Sequence, residues 1–268
     1  MVKTDGGFVR EEYIDENISI YVIDIKELND ELKKTIDDFI VLICEGPQET
    51  ILTIDDIKQE IKSFILEKRP QNITDTGRNT YTYIGAIAEF FIHLFLNYIG
   101  FKQECLFLNL EERSIKKGFD GYYSKESQTW IMESKSGYEK SAGASHTNKI
   151  QISYNQLKEK ITTCSSGIND PWKNAFNPAH RVNANQNILK ELQKFYQQFI
   201  RGEIDNNIND FNLIPCSTIY FTDDWDENKD SIIQEIKNLQ PNLECKNLKI
   251  ICINKRFKSI FLKYLGGL

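Results

Sequence analysis

Two acids and a lysine in the middle of the chain have the types and spacing of a hydrolytic metal site. Asp120 stands in the segment GFDG (118–121), and Glu133 and Lys135 close the segment TWIMESK (129–135). Side chains of an extended strand repeat every two residues, so Glu133 and Lys135 share a face and Ser134 turns to the other. If 118–124 and 129–135 pair as a hairpin with its turn at 125–128, Asp120 comes beside Glu133. Two carboxylates and an ammonium group then converge. Hard carboxylate oxygens suit Mg2+, with Mn2+ as a substitute, and such a cation keeps several waters and takes phosphate oxygens as further ligands. A cation so held lowers the pKa of a bound water and offsets charge growing on a phosphate, which is what phosphodiester hydrolysis requires. Lys135 would orient that water or neutralise the transition state. The backbone carbonyl of Ser134 offers one more ligand. Glu89, on a preceding helix, would bind a second metal or hydrogen-bond a metal-bound water.

The bland alternative is a solvated charged face on an edge strand, the common fate of Glu and Lys. Two features weigh against it. TWIMESK is an apolar strand that becomes charged only at its carboxyl end, and Asp120 lies between Gly118–Phe119 and Gly121–Tyr122. A carboxylate in such surroundings carries a desolvation cost that surface decoration does not.

The elements that must position these residues follow from periodicity. Residues 18–25 read as a strand from their β-branched run. Thr53 caps a helix over IDDIKQEIKSFILEK, whose Ile54, Ile57, Ile61, Phe64 and Ile65 recur at helical spacing. The polar stretch 70–80 reads as a linker, dividing an N-terminal extension, 1–75, from a main domain, 76–268. Residues 81–99 read as a helix ended by Gly100. Strands follow at 103–110, 118–124 and 129–135, then helices at about 147–163 and 183–202, a strand at 217–222, a helix at 228–239, a strand at 247–253 and a last helix at 256–265. The order predicts an α/β fold, a mixed central sheet flanked by helices. The acidic run FTDDWDEN (221–228) reads as a strand end and helix cap rather than a metal site.

Composition narrows the function. Of 268 residues, 40% are hydrophobic, enough for a sizeable core, and the net charge is −6. That balance argues against a protein that coats nucleic acid by charge alone. Six cysteines without a CxxC pair, and only three histidines, argue against zinc. Several of the cysteines lie in apolar runs and read as buried, reduced thiols of a cytoplasmic protein. The N-terminus has no apolar signal-peptide core, and the longest apolar stretch, 90–99, is interrupted by His93 and Asn97, so no membrane association is expected. Lys135, Lys140, Lys149, Lys158 and Lys160, interleaved with Tyr138, His146 and Tyr154, form either a DNA-facing edge or a solvated helix face. His93 reads as a core or boundary residue.

Glu89, GFDG at 118–121 and ESK at 133–135 together resemble the PD-(D/E)XK nuclease superfamily, with Phe119 in place of the motif proline. More narrowly, GAIAEFF (85–91), GFDG and WIMESKSG (130–137) resemble the HamA family, the nuclease subunits of the Hachiman anti-phage defence system. The resemblance covers roughly 80–265. It implies a restriction-endonuclease-like αβββαβ core, metal ligation by Asp120 and Glu133, a catalytic Lys135, and Glu89 as the helix acid. It also implies a DNA substrate and a helicase partner of the HamB kind, with the N-terminal extension as a docking candidate. The alternatives are a type II restriction endonuclease and a non-catalytic DNA-sensing or scaffold subunit.

Overall fold

A computed structural model describes residues 9–67, 78–107, 118–163, 170–182, 184–222, 225, 228–256 and 259–266. The chain runs β1 (Val9–Tyr13), β2 (Ile18–Ile25), α1 (Asp30–Glu45), α2 (Ile54–Glu67), α3 (Arg78–Tyr98), β3 (Lys102–Gln103), β4 (Gly121–Lys125), β5 (Gln128–Tyr138), α4 (His146–Thr162), α5 (Pro171–Arg181), α6 (Gln186–Arg201), β6 (Asn212–Phe221), α7 (Lys229–Leu239), β7 (Asn247–Arg256) and α8 (Ser259–Tyr264). All seven strands form one sheet in the order β1-β2-β7-β6-β5-β4-β3. The central four are parallel; β1 and the β4–β3 pair join antiparallel at the two edges. The N-terminal 75 residues thus contribute β1 and β2 to the sheet shared with the rest of the chain.

Two-residue alternation splits the core into two layers. On one face Trp130 and Met132 of β5, Ile251 and Ile253 of β7, and Cys216 of β6 pack under α1, α2, α3 and α8. On the other, Ile131, Ile250 and Leu213 pack under α4, α5, α6 and α7. The helices bury their apolar stripes: Ile36, Ile40 and Ile43 of α1 and Ile150, Leu157 and Ile161 of α4 are fully buried at helical spacing.

Four departures from the sequence reading have physical reasons. Strand β4 begins at Gly121 rather than 118, so Asp120 precedes the strand instead of lying inside it. The expected strand at 103–110 is a two-residue strand, and 108–110 lie outside the described residues. Strands β5 and β6 are longer than expected because both are central and covered on both faces. Helices α1 and α5 were not expected at all; α5 contains Pro178, a residue that ordinarily argues against a helix, and is held by the burial of Trp172.

Candidate active site

Strand β5 holds the chemistry because its two neighbours do not run equally far. The antiparallel pairing with β4 ends at Gly121–Met132, whereas the parallel pairing with β6 continues from Glu133–Pro215 to Tyr138–Tyr220. From Ser134 onward, the β4-side edge of β5 therefore has no strand partner among the described residues. Site side chains supply one. Asp120 Oδ2 accepts the Ser134 N–H at 2.8 Å, and Lys135 Nζ donates to the Ser134 carbonyl at 2.9 Å. The turn that sets this register is Glu126–Ser127, both at positive φ (51° and 63°), the backbone of a two-residue hairpin. Gly121 makes the approach close: a Cβ there would stand 2.6 Å from the Tyr123 ring and 2.9 Å from Met132 Cε.

Glu133 is 2% exposed. Its Oε1 accepts from Lys135 Nζ at 2.8 Å and its Oε2 from Lys160 Nζ at 2.6 Å. Lys160, on the last turns of α4, also donates to the Gly118 carbonyl at 2.6 Å and so ties the Asp120 segment to Glu133. The backbone at Glu133 is fixed by a substitution in the ladder. Pro215, opposite Glu133, has no N–H to give. The buried Ser153 hydroxyl of α4 donates to the Glu133 carbonyl at 2.6 Å and accepts the Cys216 N–H at 3.3 Å, keying the helix to both strands.

Glu89 arrives from α3, on the opposite face of the sheet, and is 7% exposed. Its Oε1 lies 3.4 Å from His93 Nε2, and His93 Nδ1 makes a close hydrogen bond with the Tyr123 hydroxyl. Burial pushes the Tyr123 phenol up, so it keeps its proton in this pair. His93, expected as a core or boundary residue, is in the core and also helps to hold the helix acid. The charge of Glu89 acts on both Asp120 and Lys135. Asp120 keeps some exposed surface, yet burial, Glu133 and Glu89 push its carboxyl up to about 8 against the opposing pull of Lys135 and Lys160. Burial pulls the Lys135 ammonium down, but Glu133, Asp120 and Glu89 more than offset it and its pKa is raised.

Asp120, Glu133 and Lys135 thus meet around Ser134, while Glu89, on the opposite face of the sheet, acts on Asp120 and Lys135 through its charge. Lys160, read from sequence as part of a DNA-facing row, is in the cluster too. That row does not persist as a single surface. Lys158 pairs with Glu244 at 3.2 Å, Tyr154 is in the core with its hydroxyl on the Glu244 carbonyl, and Tyr138 packs against Tyr220 on the α3 face. His146 is buried between Ser217 and Asn254, at 2.6 and 2.9 Å, and anchors the start of α4. Lys149 remains at the site. Its stem crosses Gly137, where a Cβ would stand 2.9 Å from Lys149 Cε, and both burial and the charge of Lys135 hold its ammonium below the usual lysine range. Nothing in the spacing of Lys149 and Lys160 separates them from Lys158; only the packing of α4 on β5 does. Asn228 caps α7 as the acidic run predicts, accepting the Ser231 N–H at 3.1 Å, while residues 223, 224, 226 and 227 lie outside the described residues.

Asp120, pushed up to about 8, holds a proton at neutral pH that a bound cation would displace. Among the described residues, no group of three or more His, Cys, Asp or Glu side chains is arranged to hold a metal. A divalent cation would instead take Asp120, Glu133 and the Ser134 carbonyl, an all-oxygen set that suits Mg2+. Among the described residues no helix is long and apolar enough to cross a membrane. No protein-family model matches the chain, and no curated protein matches it significantly.

Proposed function

We propose that this chain is a metal-dependent nuclease that hydrolyses DNA phosphodiesters at the cluster of Asp120, Glu133 and Lys135. The observation that carries the reading is their convergence where β4 parts from β5, with Glu89 entering from the opposite face. Asp120, Glu133 and the Ser134 carbonyl hold the cation, which when bound would activate a water and offset phosphate charge. Lys135 orients the nucleophile beside the phosphate, and Lys149 stands where it can meet a neighbouring phosphate. The order α3, β3-β4-β5, α4, β6, with α5 and α6 inserted before β6, supports a restriction-endonuclease-like core, because it follows αβββαβ apart from that insertion and β6 is parallel to β5.

The resemblance of GAIAEFF, GFDG and WIMESKSG extends the proposal to Hachiman-type antiviral defence with a helicase partner. Two features support a partner that delivers DNA. The net charge of −6 gives weak long-range attraction to a polyanion, and the sequence has no Gly-x-x-x-x-Gly-Lys-Ser/Thr phosphate loop of its own. The deciding experiment incubates the chain, alone and with a candidate helicase partner, with plasmid and linear DNA in Mg2+ or EDTA. Mg2+-dependent cleavage lost in Lys135→Ala supports the reading; a folded chain that cuts neither substrate under any condition refutes it. A second reading, a non-catalytic DNA-sensing subunit, is favoured by one observation: both oxygens of Glu133 are already taken by lysines.

A further inference from the structure

The two lysines on Glu133 are not equivalent. Lys135 rises from the same strand, and its ammonium also satisfies the Ser134 carbonyl. Lys160 reaches in from the far end of α4 on a stem whose side chain is 26% exposed, and its other partner is the Gly118 carbonyl. The Glu133 side chain is 3% exposed and the Lys160 ammonium sits on Oε2 at 2.6 Å, so a cation that binds this oxygen competes with that ammonium. Moving Lys160 outward frees that oxygen and leaves an ammonium that water and the Gly118 carbonyl can solvate. Moving Lys135 would strip the Ser134 carbonyl and take away the group the reaction uses.

We propose that Lys160 is a built-in counter-ion that competes with the divalent cation for Glu133, so that metal loading requires its ammonium to leave Oε2. This rests on the metal-site reading above. While Lys160 stays in place, the buried carboxylate is paired and the chain is stable, but its affinity for metal is reduced by the cost of displacing the ammonium. A phosphate that arrives at the cluster gives the displaced ammonium a new anionic partner. Substrate and metal should therefore assist each other's binding, and by linkage the assistance is mutual.

The test titrates Mn2+ into the full-length chain without DNA and reads free Mn2+ by electron paramagnetic resonance, comparing wild type with Lys160→Met. Removing the competing charge should tighten Mn2+ binding roughly tenfold or more. Asp120→Asn in the Lys160→Met background should abolish it. Lys160→Gln, which keeps a hydrogen-bond donor but no charge, carries the same test if the Met variant does not fold. Unchanged or weaker Mn2+ binding, still abolished by Asp120→Asn, overturns the competition and leaves the metal site standing. If neither wild type nor the uncharged variants bind Mn2+, the metal reading and the competition both fail.

Discussion

Lys255 should make the protein less stable at neutral pH than it would be with a neutral side chain there. It closes β7 on the α3 face, is 1% exposed, and its ammonium lies 4.5 Å from the centre of the Phe91 ring. Burial pushes its pKa down from the ordinary 10.5 to about 7. Between those values the unfolded chain holds a proton that the folded chain does not, so stability rises with pH across the window. The penalty is complete below about pH 7 and disappears above the unfolded value. At about 1.4 kcal/mol per unit it amounts to about 4 kcal/mol at pH 7 and about 2 kcal/mol at pH 9. The Phe91 face returns up to about 2 kcal/mol while the lysine is charged. Lys255→Met, similar in length and free of charge, should therefore gain roughly 2–4 kcal/mol at pH 7, and its advantage should shrink as the pH approaches 9. Urea unfolding of wild type and variant at the two pH values measures this, and taking the difference removes the other titrating groups. An advantage that is absent at pH 7, or that does not change with pH, would refute the burial argument.

Three further outcomes are expected at the site. Lys135→Ala should abolish cleavage and cost less stability than Glu133→Ala, since it bares the Ser134 carbonyl but leaves Glu133 paired with Lys160, whereas Glu133→Ala should lose cleavage and also about 2–4 kcal/mol of stability, because it leaves two partly buried ammonium groups without their carboxylate; equal melting temperatures for the two variants would contradict the paired geometry. Asp120→Asn should weaken Mn2+ binding by calorimetry more than it lowers the melting temperature, and an unchanged isotherm would make Asp120 a structural residue. Lys149→Ala should weaken DNA binding across sequences and reduce the salt dependence of binding by about one phosphate contact; an unaltered salt slope would place Lys149 outside the DNA path.

The central parallel strands were legible because burial on both faces of a parallel sheet writes continuous apolar runs, as in ISIYVIDI and NLKIICI, whereas the edge strand β1 was missed. The hairpin that brings Asp120 to Ser134, between Glu133 and Lys135, was legible for a similar reason: a two-residue period and a short turn leave few registers to choose from. What was not legible depended on contacts distant in sequence. Lys160 belongs to the site only because Ser153, two turns earlier on α4, is locked between Glu133 and Cys216. The true start of β4 was hidden because Gly118–Asp120 look extended, yet the Gly118 carbonyl is held by Lys160 of α4 and the Asp120 side chain by the β5 backbone.

That last point explains why the cluster forms where it does. A strand edge that loses its partner inside a protein must find donors and acceptors elsewhere, since buried backbone groups are rarely left unpaired. At Ser134 the substitutes are a carboxylate for the N–H and an ammonium for the carbonyl. The same gap admits the influence of a third carboxyl group, Glu89, from the opposite face. Fold and chemistry therefore draw on the same groups: the charges that patch the edge of β5 are those that would hold a cation and a phosphate. The arrangement has a consequence for substitutions. Neutralising Asp120 removes a ligand but leaves an amide oxygen for the Ser134 N–H, so the patch can survive while the chemistry fails. Removing Glu133 leaves two lysines facing each other, and patch and chemistry fail together.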